Sequence, residues 1–159
     1  LALIAISVGA FALDAFVQPG TTAVGVGHSI GAATLVALAG AQMWLGPGRR
    51  VNIAPDGRLT RLALLAPPTG FFQAPEALDA VRVPILAWAG SEDGITPPAQ
   101  TEWLAHAMSG WQTVDVRVTA GAGHFSFMDL PPPQTTEPLP NKQAFLREYS
   151  SEVCRFLVG

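Results

Sequence analysis

The 159-residue sequence is poor in charge: Lys, Arg, Asp and Glu together make up 13% of it. Low charge beside 49% hydrophobic residues excludes a disordered chain, which needs the opposite balance. It points instead to elements buried on both faces, as in a sheet covered by helices on each side. Basic blocks are missing too. The only adjacent basic pair is Arg49-Arg50, and the net charge is −3. Phosphate binding wants a basic stripe, so nucleic acid is not expected as a partner. The one cysteine, Cys154, can form no internal disulfide, and its apolar neighbours predict a buried, inert thiol. No two His or Cys residues stand at metal-ligand spacing, so no metal is expected.

A secretory signal wants a basic n-region, and none is present before the opening run LALIAISVGAFALDAF, so such a signal is not the expected reading of it. Asp14 interrupts the run too early for a membrane span. Leu1, Ile4, Val8, Phe11 and Ala15 follow helical spacing, as do Leu3, Ile6, Ala10, Leu13 and Val17. A helix apolar on two faces is expected to be buried. The missing start Met suggests a fragment or a processed piece. The compartment is not fixed, with the cytoplasm favoured.

What is present is an alternation of elements. Thr22–Gly27 reads as a short buried strand, and Ile30–Trp44 as a helix ended near Gly46-Pro47-Gly48. Val51–Thr60 is a polar connection with a turn at Pro55-Asp56-Gly57. Arg61–Ala66 and Pro84–Gly90 read as strands, with a short helix over Pro75–Val81 between them. Pro97–Met108 reads as a helix with Thr96 as N-cap. Thr113–Thr119 alternates as an edge strand does. Asn141–Leu157 closes the chain as an amphipathic helix burying Ala144, Phe145, Tyr149, Val153, Phe156 and Leu157. Strands alternating with helices predict βαβ units. The expectation is a single α/β domain over residues 1–159, three-layer α/β/α with a mostly parallel sheet.

The first strand leads into Gly27-His28-Ser29-Ile30-Gly31, a G-x-S-x-G pattern. Random order of 16 Gly and 7 Ser in 159 residues yields it roughly 0.07 times. Between a strand and a helix the pattern makes a tight turn that lifts the Ser hydroxyl above the sheet, and its two glycines let strand and helix approach. A serine needs a base, and the base an orienting acid. Asp93 follows the third strand in Gly90-Ser91-Glu92-Asp93-Gly94, and His124 follows the fourth in Gly121-Ala122-Gly123-His124-Phe125. Parallel strands bring these three loops to one sheet edge. Glu92 is the runner-up acid. His28 is expected to pack or hydrogen-bond under the turn, and His106 to be a solvated or packed helix residue.

"GHSIGA" with "GSEDGITPP" and "GAGHFSFMD" resembles the α/β-hydrolase superfamily. Within it, the chain is similar to the dienelactone-hydrolase-like and platelet-activating-factor-acetylhydrolase-like serine esterases, over the carboxyl-terminal half of that fold. The resemblance implies Ser29 as nucleophile, Asp93 as acid and His124 as base. It also implies an oxyanion site that takes the Ile30 N–H, with no cofactor. Dienelactone hydrolases proper use a cysteine nucleophile, so the serine points to ordinary esters. The implied function is hydrolysis of carboxylic esters or lactones through an acyl-enzyme. Phe71, Phe125 and Phe127 are candidate walls of a substrate pocket. Pro68-Thr69-Gly70 is a candidate source of a second oxyanion donor. The family has strands before the nucleophile strand. Here only a helix precedes it, so the nucleophile strand is expected at a sheet edge open to self-association. The alternative function is therefore a non-catalytic fragment of the same fold that binds a partner or its own copy.

Overall fold

In the computed structural model the described residues are 2–159, and of these the side chains from Val8 onward. The positions assigned above to the side chains of Leu1, Leu3, Ile4 and Ile6 lie outside them.

Four parallel strands form one sheet in the order β1-β2-β3-β4: β1 (Ala23–His28), β2 (Leu59–Leu65), β3 (Ile85–Gly90) and β4 (Val114–Thr119). Helices α1 (Ala2–Phe16), α2 (Ile30–Leu38), α3 (Pro98–Met108) and α4 (Lys142–Val158) connect or flank them. β2 shows why the sheet needs cover on both faces. Leu62 and Leu64 point into a core shared with Val36 and Leu38 of α2 and Leu104 and Met108 of α3. Ala63 and Leu65 point the other way, into a second core with Trp88 of β3 and Phe145 and Val153 of α4. Successive strand residues face opposite sides, so a strand apolar at every position has to sit inside a sandwich of helices. α1 packs on α2, and Ala10 and Leu13 reach the first core. Arg58 holds the end of α1 down, with hydrogen bonds to the Leu13 carbonyl (2.9 Å) and to Asp14 (2.6 Å).

Several expectations are corrected. α1 is not buried on two faces: Val8, Phe11 and Phe16 are exposed, Phe16 at 82%. β1 is not a buried strand either. It ends the sheet, and Val24 and Val26 are open on the face that α4 leaves uncovered. α2 stops at Leu38 and not near Trp44, because Gly40 turns the chain away at φ 115°. β2 begins at Leu59, inside the segment assigned to the connection. No helix forms over residues 75–81, which run as turns; a short 3-10 helix (Thr69–Phe72) stands before them. On α4, Ala144 and Cys154 are exposed. The expected buried thiol is therefore a surface thiol. Among the described residues no helix is long and apolar enough to cross a membrane.

Candidate active site

The turn between β1 and α2 carries the first element of the site. Gly27 comes so close to the start of α2 that a Cβ there would lie 2.6 Å from the Gly31 backbone. The next residue but one, Ser29, has φ 53° and ψ −123°, a conformation that costs a non-glycine residue about 1–3 kcal/mol. The Ser29 N–H donates to the Leu65 carbonyl (2.9 Å), and its own carbonyl accepts from Ala32 N–H (2.9 Å). The strained residue is thus clamped from both sides, with its hydroxyl at the carboxyl edge of the sheet. The two glycines of the pattern are not equivalent: a Cβ on Gly31 would meet nothing within 4 Å.

The second and third elements come from the loops after β3 and β4. Gly90 brings them together, since a Cβ there would lie 2.2 Å from the Ala122 carbonyl oxygen. That carbonyl accepts the Glu92 N–H at 2.9 Å. The contact places His124 over Asp93. Ser29 Oγ lies 2.9 Å from His124 Nε2, and His124 Nδ1 lies 2.8 Å from Asp93 Oδ2. In the arrangement these distances favour, the serine hydroxyl donates to Nε2 and Nδ1–H donates to the carboxylate. Glu92 is exposed and takes no part.

Asp93 is 3% exposed. Burial alone pushes its carboxyl up. The Thr96 N–H (2.7 Å), the imidazole, the Thr96 hydroxyl (2.8 Å) and the Ile95 N–H (2.8 Å) outweigh burial and hold it below the ordinary value of 3.8. Asp93 therefore stays ionised. The loop that carries His124 is tied down further: Gly123 N–H donates to Ser126 Oγ (2.9 Å), which donates to Glu137 (2.5 Å). Lys142 completes the chain, 3.3 Å from the same carboxylate.

His28 sits under the turn as expected. Its Nε2 lies 2.7 Å from the His124 carbonyl oxygen, and the two rings are 4.8 Å apart. Burial lowers its pKa below 6.5 and outweighs the hydrogen bond to the His124 carbonyl, which favours the charged ring. The unfolded chain then binds a proton below pH 6.5 that the folded chain refuses, so stability falls as pH drops through that window. Denaturant midpoints taken between pH 7.5 and 5 are expected to decline for wild type. They are expected to decline less for His28→Gln, which keeps a donor and loses the titration. Equal slopes would show that His28 is not the group responsible.

The remaining candidates separate. Ile30 opens α2, so its N–H has no acceptor within the helix and is free to face an incoming oxyanion. Thr69 N–H is taken by Gln100 Oε1 at 2.8 Å, which removes it as a second oxyanion donor. Phe125 stands edge-on to His124 at 4.9 Å and, with Ile95 and Glu137, lines an open cavity of about 200 Å³ beside that histidine. Phe71 lines a different depression with Trp44, Pro68 and Gln100. Phe127 is 4% exposed and packs on Phe145 (5.4 Å) and Tyr149 (5.8 Å), so it is a core residue and no pocket wall. His106 is exposed on α3.

Sequence reasoning missed Thr96. Its side chain makes no helix cap; Pro97 holds that place, and α3 starts at Pro98. The hydroxyl turns into the site instead, to Asp93 and His124. A polar residue three positions after the acid was the one signal available.

No family model matches this chain, and no curated protein matches it. Solved structures do. A candidate alpha/beta hydrolase of unknown function from Agrobacterium tumefaciens aligns with TM-score 0.64 at 17% identity, over 94% of this chain and 59% of that one. A predicted CIB-like hydrolase from Thermoplasma acidophilum aligns with TM-score 0.61 at 17% identity, over 96% and 59%. An esterase from Pyrococcus furiosus aligns with TM-score 0.60 at 16% identity, over 96% and 59%. The fold is thus that of the α/β hydrolases, and the chain spans 59% of the length of these three proteins.

Proposed function

We propose that this chain is the catalytic part of a serine hydrolase acting on carboxylic esters or lactones. The observation that carries this reading is the hydrogen-bonded run Ser29–His124–Asp93 (2.9 and 2.8 Å), with Ser29 in a strained turn at φ 53°. Ser29 Oγ attacks the carbonyl carbon while His124 Nε2 removes its proton. Asp93 orients the ring and stabilises the imidazolium that forms. The Ile30 N–H donates to the oxyanion. The imidazolium returns its proton to the departing alcohol, leaving an acyl group on Ser29. A water deprotonated by His124 then attacks the acyl carbon; the bond to Ser29 Oγ breaks, the imidazolium returns its proton to that oxygen, and the acid is released.

The α/β-hydrolase fold and the esterase among its structural neighbours support this reaction class. The motif resemblance to dienelactone-hydrolase-like and platelet-activating-factor-acetylhydrolase-like serine esterases narrows it. Serine in place of cysteine favours ordinary esters. The open cavity beside His124 suits small esters or lactones. A fluorophosphonate probe is expected to label the folded protein at Ser29 and to leave Ser29→Ala unlabelled. Folded wild type that stays unlabelled would overturn the proposal.

A further inference from the structure

The Thr96 hydroxyl is buried at 2% exposure, and three groups surround it. Its Oγ1 lies 2.8 Å from Asp93 Oδ2, 3.0 Å from His124 Nδ1 and 3.1 Å from the Ala66 carbonyl oxygen. With Nδ1 and Oδ2 themselves 2.8 Å apart, Oγ1, Oδ2 and Nδ1 form a nearly equilateral triangle. A hydroxyl has one proton and two lone pairs. The proton serves Asp93 Oδ2, the nearer acceptor, with the Ala66 carbonyl at the other side. Nδ1–H points to Oδ2 with Oγ1 beside it.

Ala66 has φ 49°, a strained value for a residue with a side chain. Its N–H still donates to the Trp88 carbonyl at 2.7 Å, so it stays anchored to β3 while its carbonyl faces Thr96. Strain kept beside a reacting group is commonly part of how that group is held. The hydroxyl has no part in capping α3, which lacks a side-chain cap. Apolar packing alone would have been met by valine.

We infer that Thr96 is a positioning residue for the hydrolysis proposed above, on which this inference rests. Its hydroxyl holds Asp93 Oδ2 against His124 Nδ1. Asp93 Oδ1 is held by two backbone N–H groups, but among the described residues Oδ2 has, apart from the imidazole, only this hydroxyl. The restraint matters most when His124 takes the serine proton and positive charge develops on the ring. An interaction that strengthens at that moment alters kcat and leaves KM alone.

The test compares Thr96→Val, Thr96→Cys and Thr96→Ser. One readout is kcat and KM on p-nitrophenyl acetate. The other, independent of turnover, is the Nδ1–H proton signal of His124 in ¹⁵N-histidine-labelled protein, assigned by its loss in His124→Gln. Thr96→Val is expected to lower kcat about tenfold, the scale of one hydrogen bond to a charged group, with KM unchanged. Its Nδ1–H signal is expected to move upfield. Thr96→Ser restores both, and Thr96→Cys follows valine because a thiol is a weak partner. A folded Thr96→Val with the wild-type Nδ1–H signal overturns the inference, as does a Thr96→Ser that behaves like valine. Where Thr96→Val does not fold, Thr96→Cys decides in its place. A wild type inactive on esters would sink the hydrolase reading, while the proton signal would still judge Thr96.

Discussion

Ser29→Ala is expected to lower kcat on p-nitrophenyl acetate by about 10⁴- to 10⁶-fold, the range seen when a nucleophile of a serine–histidine–acid unit is removed. The fold should survive. Among the described residues the Ser29 side chain bonds only to His124, whereas its backbone carries the clamp to Leu65 and Ala32. Alanine at φ 53° bears about the same backbone strain as serine, so the thermal midpoint should hardly move. Ser29→Ala combined with His124→Gln should cost little more than either alone, because the two groups act in one step. An alanine variant that keeps a tenth of the wild-type rate would end the case for Ser29 as nucleophile. Circular dichroism and kcat, measured on the same preparation, decide the matter.

A large effect on folding is expected at Gly27. A Cβ there lies 2.6 Å from the Gly31 carbonyl carbon and oxygen and 2.7 Å from Ala32 N. All three are backbone atoms, and Ala32 N is already bonded to the Ser29 carbonyl. Relief has to come from moving the start of α2 away from β1, and overpacking of this kind costs about 1–3 kcal/mol or more. β1 has a sheet neighbour on one side only, so it has little else to hold it. Gly27→Ala is therefore expected to be poorly folded and, where folded, to lose the Ser29–His124 contact and its labelling by fluorophosphonate. Gly31→Ala is the control. It meets nothing within 4 Å, lies inside α2, and is expected to gain about 0.5–1 kcal/mol from helix preference. A Gly27→Ala protein with wild-type midpoint and labelling would show that the turn can open without loss.

The readable part of the site came from residues whose chemistry and place coincide. Ser29, Asp93 and His124 each lie in the loop that follows a strand, and parallel strands deliver those loops to one edge whatever the intervening lengths. Thr96 was read as a cap because threonine before proline is a common helix start. Nothing local says that its hydroxyl faces a carboxylate and an imidazole from another loop. Phe127 and Phe125 lie two residues apart on either side of Ser126. Which of them lines the cavity and which fills the core depends on where α4 comes to rest, a contact with residues near 145 and 149. Cys154 sits among apolar neighbours in sequence, yet it falls on the outer side of that helix. The exposure of Val24 and Val26 is likewise a matter of what covers β1.

The alternation of strands and helices, the parallel sheet between helices, and the strand–Ser–helix turn were determined by the sequence alone. These follow from local periodicity, short-range turn chemistry and chain order, which one dimension records in full. The distances from Ser29 to His124 to Asp93, the approach of Thr96 to Ala66, and the contact of Gly90 with Ala122 were decided only by the tertiary structure. Each joins atoms about 30 or more residues apart, and its geometry is set by the packing of sheet and helices in the two cores. A hydrogen bond is made or lost within a few tenths of an ångström, and packing alone sets distances that finely.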